Sequence, residues 1–451
     1  MQDAFLVEQT GKPAAVFVNE NFLSCGRETA ARAMPKIRMV GNTTPPENTV
    51  LEKARAGITP VIDELIDALT KPLTDEEKSP KQPVAQPPSI GFKGTLSEVN
   101  RFFYTQGWTD GLPILPPTEE AVSEMLTGTD LPRDHVVATL EPGLGKATVE
   151  KIAINAVMAG ALPTYMPVLI AGVQALADPM RRFALHLIST GSWSPFWIIN
   201  GPIRKELAIN KGTGAFSPGI IANAAIGRAM GLIIQNTAQA RKGIEDMGHL
   251  GNPERYTMVI AEDEEASPWE SLHVDQGFAK DDSAVTLHYP HQFVQFWALG
   301  TTAKGILTAI TADALPGAPG KTCLLINPTH ARILADEGWS KADIKGYVSR
   351  FARCPAHQHF FSILPGHPKA TIPLEDGELR SLFLSPDDII VIVGGGTTGN
   401  FIGMFTGGHL GGSTFVTKKV ELPQKWASVV KKYKGMVPTY LKNSSLRDLC
   451  S

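Results

Sequence analysis

The chain has 451 residues, 43% of them apolar and 19% charged, with a formal net charge of −3, a composition typical of a globular protein large enough for two or three domains. No basic face invites nucleic acid, and the longest apolar run, residues 219–234, carries Asn223 and Arg228 and falls short of a membrane span. The opening MQDAFLVEQTGK lacks the basic start and apolar run of a signal peptide, so the expectation is a cytoplasmic protein that engages neither membrane nor nucleic acid. Cys25, Cys323, Cys354 and Cys450 show no paired spacing, as expected of reduced thiols. No repeat of solenoid or propeller period is visible.

In chain order, residues 3–10 predict the end of a helix, Gly11-Lys12-Pro13 resets the chain, and Ala14 to Val18 suits a buried parallel strand. After a loop, residues 27–34 are good helix formers that Pro35 stops, and Ile37 to Val40 reads as a second strand. Residues 49–69 carry a helical apolar stripe interrupted near Gly57 and Pro60. Helix, strand, helix, strand, helix amounts to half of a doubly wound sheet. Cys25 lies between the first strand and the next helix, where N–H groups and Arg27 favour a thiolate, making it a candidate catalytic thiol; a small packed thiol is the commoner arrangement.

Residues 71–93, with prolines at 72, 80, 83, 87 and 88, hold too few apolar groups to bury a core and predict a linker. The run GKPAAVFVNENF, the helix containing ARAM, then PKIRMVG and a long closing helix resemble the C-terminal half of the UGSC family, named for a selenocysteine-Gly-Ser-Cys motif. The resemblance covers residues 1–70 and implies a partial α/β domain. No Cys-Gly-Ser-Cys or equivalent occurs in the chain, so the family's redox-type motif does not carry over. The expected partner is a second chain that completes this sheet, or a further copy in a homo-oligomer.

Residues 94–451 predict a larger α/β body of one domain or two subdomains. A short helix from Ser97 leads to the turn Trp108-Thr109-Asp110-Gly111-Leu112-Pro113, where Asp110 either faces a site or caps its own loop. Residues 146–161 and 166–177 read as two apolar core helices. Phe196 to Ile199 is strand-like and ends at Asn200-Gly201-Pro202; Arg204, Lys205 and Lys211 follow, and then GTGAFSPG opens into the helix IIANAAIGRAMGLIIQN. A glycine-rich turn at a helix start presents unpaired N–H groups, so Asn200, Arg204, Gly214 and Ser217 are the candidate holders of a carboxylate or phosphate, although neither a Walker loop nor a dinucleotide fingerprint is present.

A predicted strand from Tyr256 to Ala261 delivers Glu262-Asp263-Glu264-Glu265, followed by Pro268-Trp269 and His273. Strand ends in α/β proteins face clefts, and crowded carboxylates raise one another's pKa, so Glu262 and His273 are the candidate acid and base; a solvated acidic turn is the alternative. Cys354, His357, His359 and His367, or His288 and His291, offer metal ligands, but not with zinc-site spacing, so no cofactor is expected and a metal is a minority reading. The predicted strand at 388–393 runs into Gly394-Gly395-Gly396, read as a cleft-lining loop that continues through the glycine-interrupted FIGMFTGGHLGGSTF, and Ser340 in GWSKADI caps a helix.

The phrases GWTDGLP, INGPIRKELAIN, IAEDEEASPWESLHV and GWSKADI resemble those of an uncharacterised bacterial family found beside or fused to UGSC-like domains, a likeness that implies architecture and no reaction. The residues themselves favour an enzyme acting on a small anionic molecule by acid–base or thiol-assisted chemistry, a lyase or hydratase. A non-catalytic assembly subunit and a metal-dependent hydrolase are the alternatives.

Overall fold

The expected parallel strand pair forms: β1 (Ala15–Asn19) runs parallel to β2 (Arg38–Asn42), with Ala15 opposite Arg38. Helix α1 (Gln2–Gln9) precedes them, and α2 (Leu51–Ile58) and α3 (Ile62–Thr70) follow, split at Thr59–Val61 where Pro60 interrupts the stripe. This is a computed structural model that describes residues 2–24, 26–27, 30, 36–44, 51–78, 91–179, 183–314, 320–356, 377–397, 399–408, 415–433 and 438. Asp75–Lys78 is a further helical turn, and Glu77 pairs with Arg38 at 2.8 Å. Arg38 also donates to the carbonyls of Ala68, Lys71 and Pro72 at 3.1, 2.7 and 2.8 Å, satisfying acceptors that the end of α3 leaves open. Its hydrogen bonds hold the Glu77 carboxyl down at about 2.

Arg38→Ala is therefore expected to destabilise the first unit by about 1.5–3 kcal/mol, read as faster amide exchange over residues 62–78. The ion-pair part of this effect is present above the ordinary carboxyl pKa and fades as pH falls toward 2.

The body is α/β, and alternation along its strands decides its layers. In β5 (Phe196–Asn200) the side chains of Trp197 and Ile199 join one core, and those of Phe196 and Ile198 another. One sheet has the order β14-β7-β5-β6, adding β6 (Val259–Ala261), β7 (Ala284–His288) and β14 (Val416–Lys419). The second has the order β12-β9-β13-β8, built from β8 (Gln292–Trp297), β9 (Lys321–Ile326), β12 (Ile389–Val393) and β13 (Phe401–Gly408). Their inner faces share Phe196, Ile198, Ile260, Cys323, Leu325, Ile392 and Phe405, and Phe196 stacks on Phe405 with centroids 4.1 Å apart. The outer face of the first sheet is covered by α4 (Val149–Met158), α5 (Met166–Leu176) and α6 (Ile221–Asn236). The second is covered by α7 (Ala303–Ala312), α8 (Pro328–Asp336) and α9 (Lys341–Phe351). The result is four layers, helix, sheet, sheet, helix.

The two sheets repeat one plan. β5 pairs parallel with β6 and antiparallel with β7, which pairs antiparallel with β14; β9 does the same with β12, β13 and β8. Each half lends its last strand to the other's sheet, since β8 follows β7 in sequence and β14 follows β13. The repeat invisible in the sequence is thus a two-fold one, and Ile199-Asn200-Gly201-Pro202 and Ile326-Asn327-Pro328 occupy matching places in it.

Three further expectations change. Residues 145–148 form β4, paired with β3 (Val136–Leu140), so the first apolar helix starts at Val149 rather than Lys146. Tyr256 precedes a strand of three residues. The first part of the glycine-interrupted segment after 400 is the interior strand β13, where a Cβ added at Gly403 would lie 3.3 Å from both Leu325 and Phe293. Among the described residues no helix is long and apolar enough to cross a membrane.

Candidate functional site

β5 and β6 run parallel; β5 ends in Asn200 and β6 is followed directly by Glu262, and both positions fall on the inner face. Asn200 continues the face of Phe196 and Ile198, and Glu262 that of Met258 and Ile260, so both enter the apolar seam between the sheets and both are fully buried. Groups placed there must satisfy one another. Asn200 Nδ2 donates to Glu262 Oε2 at 2.6 Å, and the Leu272 N–H donates to the same oxygen at 2.7 Å. Among the described residues the other oxygen, Oε1, has no hydrogen-bond partner, and neither has Asn200 Oδ1. The charge nearest Oε1 is Lys341 Nζ at 3.7 Å, contributed by the first turn of α9 from the opposite half. Burial pushes the Glu262 carboxyl above its usual range, and Lys341 only partly offsets this.

The remaining acids form an ionic network that runs outward from Glu262. Glu264 accepts from the Gly201 N–H at 2.7 Å and pairs with Arg204 at 2.8 Å. This contact needs a glycine at 201, where φ is +81° and an added Cβ would lie 2.1 Å from the Asp282 carbonyl oxygen. Glu265 is held by Arg204 at 2.7 Å, Lys205 at 2.7 Å and Lys211 at 2.9 Å; burial alone would raise its pKa, but these three cations win and hold it below the usual carboxylate range. Asp263 meets Lys211 at 3.1 Å, and its N–H donates to the Val393 carbonyl at 2.8 Å, stitching the two halves together.

Of the residues singled out from sequence, Asn200, Arg204, Glu262 and His273 come together here. Arg204 is 4% exposed and engaged by two carboxylates, so it does not present the free face expected of an anion-holding arginine. His273 is fully buried and bonded on both ring nitrogens. Nδ1 lies 3.0 Å from Ser271 Oγ and Nε2 lies 3.3 Å from the Lys280 carbonyl, which calls for an N–H on Nε2. It acts as a brace for the 271–280 turn, with Glu264 at 3.9 Å. Gly214 and Ser217 are exposed on a loop whose anchors are Asn210 and Asn223. Cys25 and the histidines at 357, 359 and 367 lie outside the described residues. His288 faces the Phe405 carbonyl at 3.2 Å, and among the described residues no group of three or more metal-binding side chains occurs.

Lys341, Lys211 and Cys323 were not legible as site residues. Lys341 directly follows the Ser340 cap, whose capping box with Asp343 is present as expected, and it bonds Asp275 at 2.8 Å. The thiol in the neighbourhood of Glu262 is Cys323, which burial and that carboxylate push well above its usual range, leaving it protonated and inert. Gly394, the counterpart of Glu262, bonds Ile326 as Glu262 bonds Ile199, both at 3.1 Å, and Gly395 donates to the Lys211 carbonyl at 2.8 Å, so this glycine loop closes the seam. Comparison with protein-family models, with curated proteins and with solved structures gives no match for this chain.

Proposed function

We infer that the chain is an enzyme that moves a proton on a small carboxylate-bearing molecule, in the manner of a lyase or hydratase, at the carboxyl ends of β5 and β6. One observation carries this reading: Glu262 is fully buried yet keeps Oε1 without a hydrogen-bond partner among the described residues. An orphaned buried oxygen costs about 1–3 kcal/mol, and a carboxyl serving only to hold β6 to β5 would gain from a second donor. Its raised pKa suits a group that takes a proton from carbon or returns one to a leaving oxygen. Glu265, with 39% of its side chain exposed, is the acid of the cluster best placed to yield its position across Arg204, Lys205 and Lys211 to a substrate carboxylate.

The test is exchange of solvent deuterium into small hydroxy- and keto-carboxylates, followed by proton NMR with the full chain. Exchange or elimination on at least one such compound is expected, and Glu265→Ala is expected to lower the apparent KM for it about tenfold by vacating the cation cluster. Silence across the carboxylate panel overturns the reading.

A second reading, an assembly subunit, is favoured by the first unit, where Ile62, Ile66 and Leu69 form an exposed apolar stripe on α3 and Phe17 is 38% exposed on β1. An intact second chain copurifying from the native host supports it. A homogeneous, active homo-oligomer counts against it.

A further inference from the structure

A cavity of about 190 Å³ opens at the amino ends of β5 and β6, the end opposite Asn200 and Glu262, where Pro195, Arg255 and Tyr256 form part of its wall. Two guanidinium groups are fixed in that wall. Arg228, on α6, is held by both oxygens of Asp110 at 2.8 and 3.0 Å and by the Pro113 carbonyl at 2.8 Å. Arg255 pairs with Asp246 and donates to the Trp193 carbonyl at 2.9 Å. Lys242 completes the charges on the lining, and no carboxylate pairs with it among the described residues. Three cations against two carboxylates leave one positive charge uncompensated, beside an apolar floor that includes Leu187 and Ile234.

We propose that this cavity binds a small organic monoanion, a carboxylate on an apolar body of about ten non-hydrogen atoms, with Lys242 meeting the carboxylate between the two arginines. The arginines are already oriented by their own acids and by backbone carbonyls, so they supply a preformed positive field and are not rearranged by the ligand. Lys242 is the charge free to make the contact. The turn Asp110 belongs to thereby gains a role as a wall of this site, fixed to α6 through Arg228. The site stands apart from the proton chemistry inferred at Glu262, which lies at the other end of the same strands.

The experiment is calorimetric titration of the full chain with benzoate, and with benzamide as its uncharged counterpart. Benzoate is expected to bind one to one and benzamide at least tenfold more weakly. Lys242→Met, at an exposed position that leaves the fold intact, is expected to weaken benzoate about tenfold, and Lys242→Glu to abolish it. Glu262→Gln leaves benzoate binding unchanged, which separates this site from the strand-end cluster. Equal binding of benzamide, an unaltered affinity in Lys242→Met, no benzoate binding at 10 mM (on the order of a ceiling for a specific site), or loss of binding in Glu262→Gln overturns the proposal.

Discussion

Replacing Glu262 by glutamine is expected to lower turnover about 10²–10⁴-fold while leaving the fold at least as stable as the parent at neutral pH. The side-chain amide in place of the acid would keep an acceptor for Asn200 and for the Leu272 N–H, and would remove the charge that burial penalises. The pH dependence separates this from a simple packing effect. The folded-state pKa of Glu262 lies above its unfolded value of about 4.3, so between those two values the folded chain binds more protons than the unfolded one. The contribution of Glu262 is fully present below that window and is lost as pH rises through it, so the parent loses stability with rising pH where Glu262→Gln does not. Glu265 has the opposite sign: its pKa is depressed, and its contribution is present above the ordinary carboxyl value and lost as pH falls. Urea midpoints for parent and variant between pH 4 and 8 (a range of about four units chosen to span the window) measure the difference. Lys341→Met, which removes the cation opposing the shift, is expected to extend the window upward. Identical pH slopes in parent and Glu262→Gln would remove the electrostatic account, and retained turnover would remove the catalytic one.

Arg204→Leu is expected to cost about 3–5 kcal/mol, the largest loss of stability in the body. It would strand Glu264 and Glu265, which the guanidinium holds at 2.8 and 2.7 Å. Glu265 can turn toward water. Glu264, with 17% of its side chain exposed and bonded to Asn200 and the Gly201 N–H, cannot do so without opening the end of β5. Lys205, 49% exposed in its own pair with Glu265, makes the contrast: Lys205→Ala is expected to change stability by less than about 1 kcal/mol. Chemical denaturation of both variants decides the matter, and a double variant Arg204→Leu, Glu264→Leu is expected to recover part of the loss because no charge is then left buried alone. Equal losses for Arg204→Leu and Lys205→Ala would show that the network is surface decoration.

Much of the fold was open to reading along the chain because its signals are local. The apolar runs at Ala14 and Phe196 and the stop signal at Pro60 act over a few residues, and the corresponding elements form close to where periodicity puts them, while the helix predicted over residues 27–34 and its stop at Pro35 fall largely outside the described residues. The segment after Asn400 defeated the same reading. Its glycines look like loop punctuation, but in β13 the strand is paired on both sides, so neighbouring backbones supply the order that side chains would otherwise provide. The two-fold repeat was hidden for a related reason: it lies in the pairing pattern, and the exchange of β8 and β14 between halves is a fact of hydrogen bonding that no spacing records.

The amino-acid sequence by itself determined that this is an α/β chain with an acidic cluster following a short apolar strand, because alternation and terminal polar residues are properties of one segment at a time. Tertiary structure decided which of those acids matters. Only the packing of two sheets face to face turns Glu262 from the first residue of an acidic turn into a fully buried carboxyl, and only the opposite half brings Lys341 to 3.7 Å from it. Burial and the distance between groups far apart in sequence set its protonation, and neither quantity exists until the chain has folded.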